Sequence, residues 1–197
     1  MTAVDYQKTI KALEARIRVL ESQLVTDELT QILNRRGLMD YLEVLAGEVR
    51  WQGAHPDKRR KVTVTSLSIV FIDIDNFKSI NTDYGHDGGD TVLQELAHII
   101  KDQVRALDIV GRYGGEEIVL GLVGATLRDA ERVAEHVRAR IESTSISMKN
   151  KQKITVTASL GVAEMGQTMS LAETIKKADT ALYEAKSSGR NRVVIAE

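Results

Sequence analysis

Cysteine is absent from the 197 residues, which excludes disulfides and thiolate metal sites and fits a reducing compartment. A surplus of either charge is missing too. The 27 Lys and Arg stand against 28 Asp and Glu, leaving −1, so there is no basic excess to draw the chain onto nucleic-acid polymers or anionic membranes. Any phosphate ligand must therefore be held locally. No long apolar run and no signal-like start is present, and the expectation is a cytoplasmic protein with no membrane partner. Proline occurs once, at Pro56, inside a stretch from Trp51 to Lys61 that reads as a polar loop. Its basic run Lys58-Arg59-Arg60-Lys61 can touch phosphate, but a solvated loop is the default reading. Internal repeats and low-complexity segments are lacking. The length suits one sizeable core plus an appendage.

What is present begins with a seam. Residues 3 to 25 contain neither Gly nor Pro and space Ile10, Leu13, Ile17, Leu20 and Leu24 by alternating steps of three and four. Isoleucine at a and leucine at d favour a parallel two-stranded coil, in which Arg16 at g faces Glu21 at e of a second copy. The alternative is a lone amphipathic helix packed on its own domain. The favoured division is a coiled-coil helix over 1–25, joining two copies, and one domain over 26–197. The seam starts almost at Met1, so an upstream sensor is either lacking or lies outside this chain.

Beyond the seam the pattern predicts a helix over 34–50, a strand over about 62–74, and a loop and helix over 76–103. A hairpin over 109–123, a helix over 126–143, a strand over 153–162, a helix over 170–187 and a short strand over 192–195 follow. Alternating strands and helices with a hairpin between them imply an α+β sheet covered by helices. The hairpin is the most informative stretch. Its tip, Gly114-Gly115-Glu116-Glu117, sets two carboxylates after a glycine pair. Two glycines suit a two-residue turn at positive φ and leave room for a bulky group against the backbone. Glu116 and Glu117 are expected on opposite faces, so that only one looks at a given ligand. A carboxylate beside a glycine platform suits a divalent metal and a polyphosphate; an exposed hairpin with solvating glutamates is the competing reading.

Context decides between them. The chain carries Asp73-x-Asp75-x-Phe77-Lys78-x-x-Asn81, then Gly85-His86-x-x-Gly89-Asp90, then Arg112-Tyr113-Gly114-Gly115-Glu116-Glu117. Thr26-Asp27-x-Leu29-Thr30-x-x-x-Asn34-Arg35-Arg36 precedes these, and Ser159-Leu160-Gly161-Val162, Ala178-Asp179 and Lys186-x-x-x-Arg190 follow. In these motifs the chain resembles the GGDEF family of diguanylate cyclases over about residues 26 to 195. The resemblance implies the family fold: a central, mostly antiparallel sheet flanked by helices, like the palm of nucleotidyl cyclases and polymerases, after a long helix. It also implies a nucleotidyltransferase that condenses two GTP into cyclic di-GMP and two pyrophosphates with Mg²⁺ or Mn²⁺, as a dimer. A catalytically silent module that binds GTP or cyclic di-GMP is the alternative.

The resemblance also implies roles. Asp73, the carbonyl of Ile74 and Glu116 would bind metal, with Glu117 assisting. Backbone N–H groups of Asn76, Phe77 and Lys78 would meet the β- and γ-phosphates, Gly115 would lie against substrate, and Lys186 and Arg190, at i and i+4 around a helix end, would reach one anion. Asn81 and Asp90 would hold guanine: a carboxylate accepts from both its N1–H and its exocyclic amine, whereas adenine presents a lone pair at N1. The structural alternatives are Asn81 as a turn former and Asp90 as a helix N-cap. Asp75 shares the face of Asp73 and is open between the site and a turn cap. Arg105 and Asp108 match the Arg-x-x-Asp motif of an inhibitory product site, the alternative being an ion pair that ends the preceding helix. Two positions depart from the family pattern: Ile118 replaces an aromatic and is expected to fill core, and Thr82 stands where aspartate is common.

Overall fold

The structure, a computed structural model, describes residues 10, 13, 25–55 and 64–196. In chain order its elements are α1 (Arg35–Ala54), β1 (Leu67–Ile74), α2 (Phe77–Gln103), β2 (Ile109–Arg112), β3 (Glu117–Val123) and α3 (Leu127–Ser143), then β4 (Ile146–Ser147), β5 (Lys153–Ile154), β6 (Ala158–Glu164), α4 (Leu171–Ser187) and β7 (Val193–Ile195). Strands run in the order β2-β3-β1-β6-β7, antiparallel except for the parallel pair β6 and β7.

Strand β1 is nearly all apolar and buried at every residue, which requires cover on both faces. One face packs Leu67, Ile69 and Phe71 under Leu38 and Leu42 of α1 and Ile175 and Leu182 of α4. The other packs Val70, Ile72 and Ile74 under Val92 and Leu96 of α2 and Ala134 and Val137 of α3. Ile118 is 1 % exposed in this second core, so the departure from an aromatic is absorbed as packing. Helices α3 and α4 each start in a capping box, Thr126 with Asp129 and Ser170 with Glu173. Asn34 caps α1 through a 2.9 Å bond from the Gly37 N–H.

Several boundaries differ from the sequence pattern. Helix α1 runs on through Trp51 to Ala54, helped by stacking of Trp51 on His55 at 4.8 Å, so the expected loop loses its first turn to helix; its remainder, 56–61, lies outside the described residues. Strand pairing starts at Leu67, not near 62, because β3 and β6 reach no further. The expected strand over 153–162 is broken into β5 and β6, with β4 and β5 forming a separate two-stranded ladder. Helix α2 is two helices meeting at Gly85, whose φ of 72° is left-handed and suits glycine. Of the seam, Ile17, Leu20, Leu24 and the pair Arg16 and Glu21 lie outside the described residues, while Ile10 and Leu13 are helical and exposed at 53 % and 58 %. Among the described residues no helix is long and apolar enough to cross a membrane.

Candidate active site

Register puts two of the expected carboxylates side by side. Asp73 near the end of β1 and Glu117 at the start of β3 are direct cross-strand partners, on the face covered by α1 and α4. Asp73 is only 5 % exposed, and its Oδ2 accepts from the Lys186 ammonium of α4 at 2.7 Å. Glu116 sits in the tip that joins β2 to β3, where the N–H groups of Tyr113 and Gly114 both donate to the Glu117 carbonyl, at 2.8 and 3.3 Å. Neither glycine of the pair is at positive φ, contrary to the expected two-residue turn. Their small size is used instead: a β-carbon at Gly114 would strike the Glu117 carboxylate, and one at Gly115 would meet only open space.

The backbone adds an oxygen. The Asp75 N–H donates to the Thr157 carbonyl on the β6 side at 2.9 Å. Successive strand residues turn their backbone groups to opposite edges, so the Ile74 carbonyl faces the β3 side, just beyond the last register pair of Asp73 with Glu117. Asp75 itself serves neither the site nor a turn cap. It is 5 % exposed and accepts from Thr157 Oγ1 at 2.7 Å, Ser159 Oγ at 2.7 Å and the Asn191 N–H at 3.0 Å, which ties the end of β1 to β6 and to the loop after α4.

Electrostatics distinguish this corner. Burial pushes the Asp73 carboxyl above the ordinary aspartate range, against the pull of the Lys186 ammonium. Glu116 is raised by burial and by the charge of Asp73. Burial, Asp73 and Asp179 raise Glu117, with Lys186 and Arg35 opposing. Both glutamates thus feel Asp73 and Lys186, so the expectation that only one faces the site does not hold: Glu116 is in the turn, outside strand alternation. Among the described residues, no three His, Cys, Asp or Glu side chains converge tightly enough to hold a cation alone. A Mg²⁺ ion does not require that, since it keeps water and takes oxygens from one or two carboxylates plus phosphate. The all-oxygen set of Asp73, Glu116, Glu117 and the Ile74 carbonyl, with like charges only partly compensated by Lys186, Arg190 and Arg35, fits such an ion.

Directly after β1, Asn76 stands in the left-handed region at φ 57° and opens α2. Its carbonyl receives the Ser79 N–H at 2.9 Å, and helix geometry leaves the N–H groups of Phe77 and Lys78 without partners inside the helix. Farther along, a β-carbon at Gly89 would collide with the Asn81 amide oxygen, so Asn81 lies against the turn that carries Asp90. Asp90 lies within the helix and not at its N-terminus, which removes its reading as a cap; it is exposed, with no protein partner among the described residues. Thr82 is also exposed and bonds back to the Lys78 carbonyl at 2.9 Å, as a helical threonine does.

Lys186 is in the last turn of α4, but Arg190 is beyond its end and left-handed at φ 63°, so the two are not helical i, i+4 neighbours. They converge all the same, because both charges act on Asp73. The Arg105 and Asp108 side chains do not pair. The Asp108 carboxylate accepts from the Arg105 and Val123 N–H groups at 2.8 and 3.0 Å, which leaves the exposed Arg105 guanidinium beside a groove of ≈ 500 Å³. Sequence reasoning missed the bonds from Arg112 to Asp27 and to the Gly115 carbonyl. Both side chains stood in recognised motifs, and nothing in a linear pattern joins residues 85 apart.

A family model described as "Diguanylate cyclase, GGDEF domain" matches residues 24–192. The chain is 40 % identical over 197 residues to diguanylate cyclase A of Treponema denticola, covering 98 % of this chain and 52 % of that protein. To diguanylate cyclase DosC of Escherichia coli it is 38 % identical over 167 residues, covering 85 % of this chain and 34 % of the relative. It therefore spans about half and about a third of the lengths of these two proteins. Among solved structures, the coiled coil and GGDEF domain of DgcB from Caulobacter crescentus, in complex with c-di-GMP, aligns with a TM-score of 0.87 at 26 % identity, covering 98 % of this chain and 96 % of that one.

Proposed function

Since the chain belongs to the GGDEF family of diguanylate cyclase domains, we propose that it is a working cyclase that joins two GTP into cyclic di-GMP and releases two pyrophosphates. The observation that carries this reading is the pairing of Asp73 with Glu117 across β1 and β3, next to Glu116 and Lys186, at the strand end that leads straight into α2 with Asn81 and Asp90. A silent module would not need so costly an arrangement of buried like charges.

Each domain holds one GTP. Asn81 and Asp90 take the guanine edge, and the start of α2 with Lys78, Lys186 and Arg190 takes the phosphates. Asp73, the Ile74 carbonyl, Glu116 and Glu117 would hold Mg²⁺, or Mn²⁺ in its place, which supplies charge stabilisation at the phosphoryl group and its leaving pyrophosphate. Two domains face one another so that each 3′-oxygen attacks the α-phosphorus of the other nucleotide, forming one P–O bond and breaking another to pyrophosphate. Positioning of this kind is worth up to about 7–11 kcal/mol of a barrier. Exposure of Ile10 and Leu13 supports pairing through the N-terminal seam, as does the likeness to a coiled-coil GGDEF structure.

Arg105 and Asp108 form the product site. Two backbone N–H bonds hold the Asp108 carboxylate rigid, and Arg105 is free to fork onto a guanine edge or a phosphate. Cyclic di-GMP bound there slows the enzyme by favouring an arrangement that keeps the two GTP sites apart. Purified protein incubated with Mg²⁺ and GTP should yield cyclic di-GMP by mass; GTP recovered unchanged over hours would refute the cyclase and leave the silent module. In the same assay Arg105→Ala should start at the wild-type rate and run past the level at which wild type stalls.

A further inference from the structure

Arg112, the last residue of β2, makes a fork that the chemistry above does not use. Its Nη1 donates to both carboxylate oxygens of Asp27 at 3.2 Å, and its Nε and Nη2 donate to the Gly115 carbonyl at 3.1 and 2.7 Å. Both side chains are only 20 % exposed. Asp27 is itself fixed, since its Oδ1 accepts from the N–H and hydroxyl of Thr30 at 2.9 and 2.6 Å. Burial works to raise the Asp27 carboxyl, but the bonds from Thr30 and the Arg112 charge hold it below the ordinary range. The segment around it is stitched to the sheet edge: the Arg112 N–H donates to the Leu33 carbonyl at 2.7 Å and the Leu33 N–H to the Val110 carbonyl at 3.2 Å.

The held atom matters most. The Gly115 carbonyl belongs to the peptide plane that leads into Glu116, so gripping it fixes the direction from which the Glu116 side chain leaves. The turn bonds from the Tyr113 and Gly114 N–H groups close on the Glu117 carbonyl and leave the Gly115 carbonyl to Arg112. Gly115 is exposed and a β-carbon there would meet nothing, and a glycine pair has more backbone freedom to lose than any other dipeptide. We propose that Arg112, anchored by Asp27, is a positioning residue for Glu116, and that through it the start of the domain sets how tightly the acidic corner holds the cation of a metal–nucleotide complex. The proposal rests on the cyclase reading.

The test is Mn²⁺ affinity, read by electron paramagnetic resonance in the presence of 3′-deoxy-GTP, which lacks the attacking hydroxyl and so binds without turnover. Arg112→Ala should weaken the Mn²⁺ affinity by about tenfold or more, the usual effect of removing a group that orients a metal ligand. Arg112→Lys, which keeps the charge but cannot fork, and Asp27→Asn should fall between that variant and wild type. Discrimination between guanine and adenine nucleotides, carried by α2, should be unchanged in all three, which general loosening of the fold would not allow. Wild-type affinity in Arg112→Ala overturns the proposal. If that variant does not fold, wild-type affinity in both Arg112→Lys and Asp27→Asn overturns it equally. Failure of the wild-type chain itself to hold Mn²⁺ with the nucleotide would sink the cyclase reading, and the clamp with it.

Discussion

Asp73 and Asp75 stand two residues apart at the end of β1, and each is 5 % exposed. Asp75 is met by donors the fold supplies: hydroxyls from Thr157 and Ser159 and the N–H of Asn191. Asp73 is met by one ammonium, from a side chain 34 % exposed, and is flanked by the like charges of Glu116 and Glu117. The same contrast separates larger regions. Along the fastenings, Asp27 and Asp108 accept backbone N–H bonds, whereas at the acidic corner burial and repulsion raise Asp73, Glu116 and Glu117. Carboxylates that hold this domain together are satisfied from within, and those assigned to its chemistry lack enough counter-charge. That difference is what the proposed reading of the corner as a site for a cation and polyphosphate calls for.

Breaking the contrast at the corner should cost activity and spare the fold. Glu116→Gln should lower turnover by about a hundredfold or more, beyond the loss typical of an indirect partner of a metal ligand, while the melting temperature holds or rises. Breaking it at the fastening should do the reverse. Asp75→Ala leaves three donors unanswered, and a loss of about 3 kcal/mol or more follows from the cost of unmade buried hydrogen bonds, measurable by urea unfolding. An Asp75→Ala protein as stable as wild type would erase the distinction.

Stability against pH sharpens it. The folded chain holds protons on Asp73, Glu116 and Glu117 at pH values where the unfolded chain, near 3.8 and 4.5, has released them. Their contribution is therefore best below those values and declines as pH rises through the raised folded values. A bound cation offsets that decline, so the melting increment given by Mg²⁺ should be larger near about pH 7.5 than near about pH 4, where carboxyls raised above their ordinary values keep their protons. Equal increments would mean that these carboxylates do not meet the ion. The smallest effect is at Gly115, which is outside the left-handed region and next to open space. Gly115→Ala should stabilise the chain by about 0.4–1 kcal/mol through the unfolded state and yet raise KM for GTP, because the methyl group would enter the open space proposed above for substrate.

Much of this was legible in the sequence. The near-continuous apolar run before Asp73 fixes a strand covered on both faces, and the acidic tip between apolar runs fixes a hairpin. What escaped the pattern is mostly short or non-local. Strands β4 and β5 are two residues each, too short for alternation to register. The kink at Gly85 gives Asp90 a helical turn ahead of it, which a cap-seeking reading of Gly89-Asp90-Thr91 does not anticipate. Glu116 escapes strand alternation because the turn takes it in, and Lys186 and Arg190 both act on Asp73 from an irregular helix end, not from one helix face. The fastenings of Asp75 and Asp27 join residues up to 116 positions apart, a distance no local rule spans.

The most direct test of the central contrast is Asp73→Asn, assayed on one preparation for melting temperature and for cyclic di-GMP formed from GTP with Mg²⁺. The variant leaves Lys186 partly exposed and able to find water, so its charge is not stranded. The account predicts a melting temperature at or above that of wild type together with loss of product. A protein that unfolds on substitution, or one that keeps the wild-type rate, would contradict it.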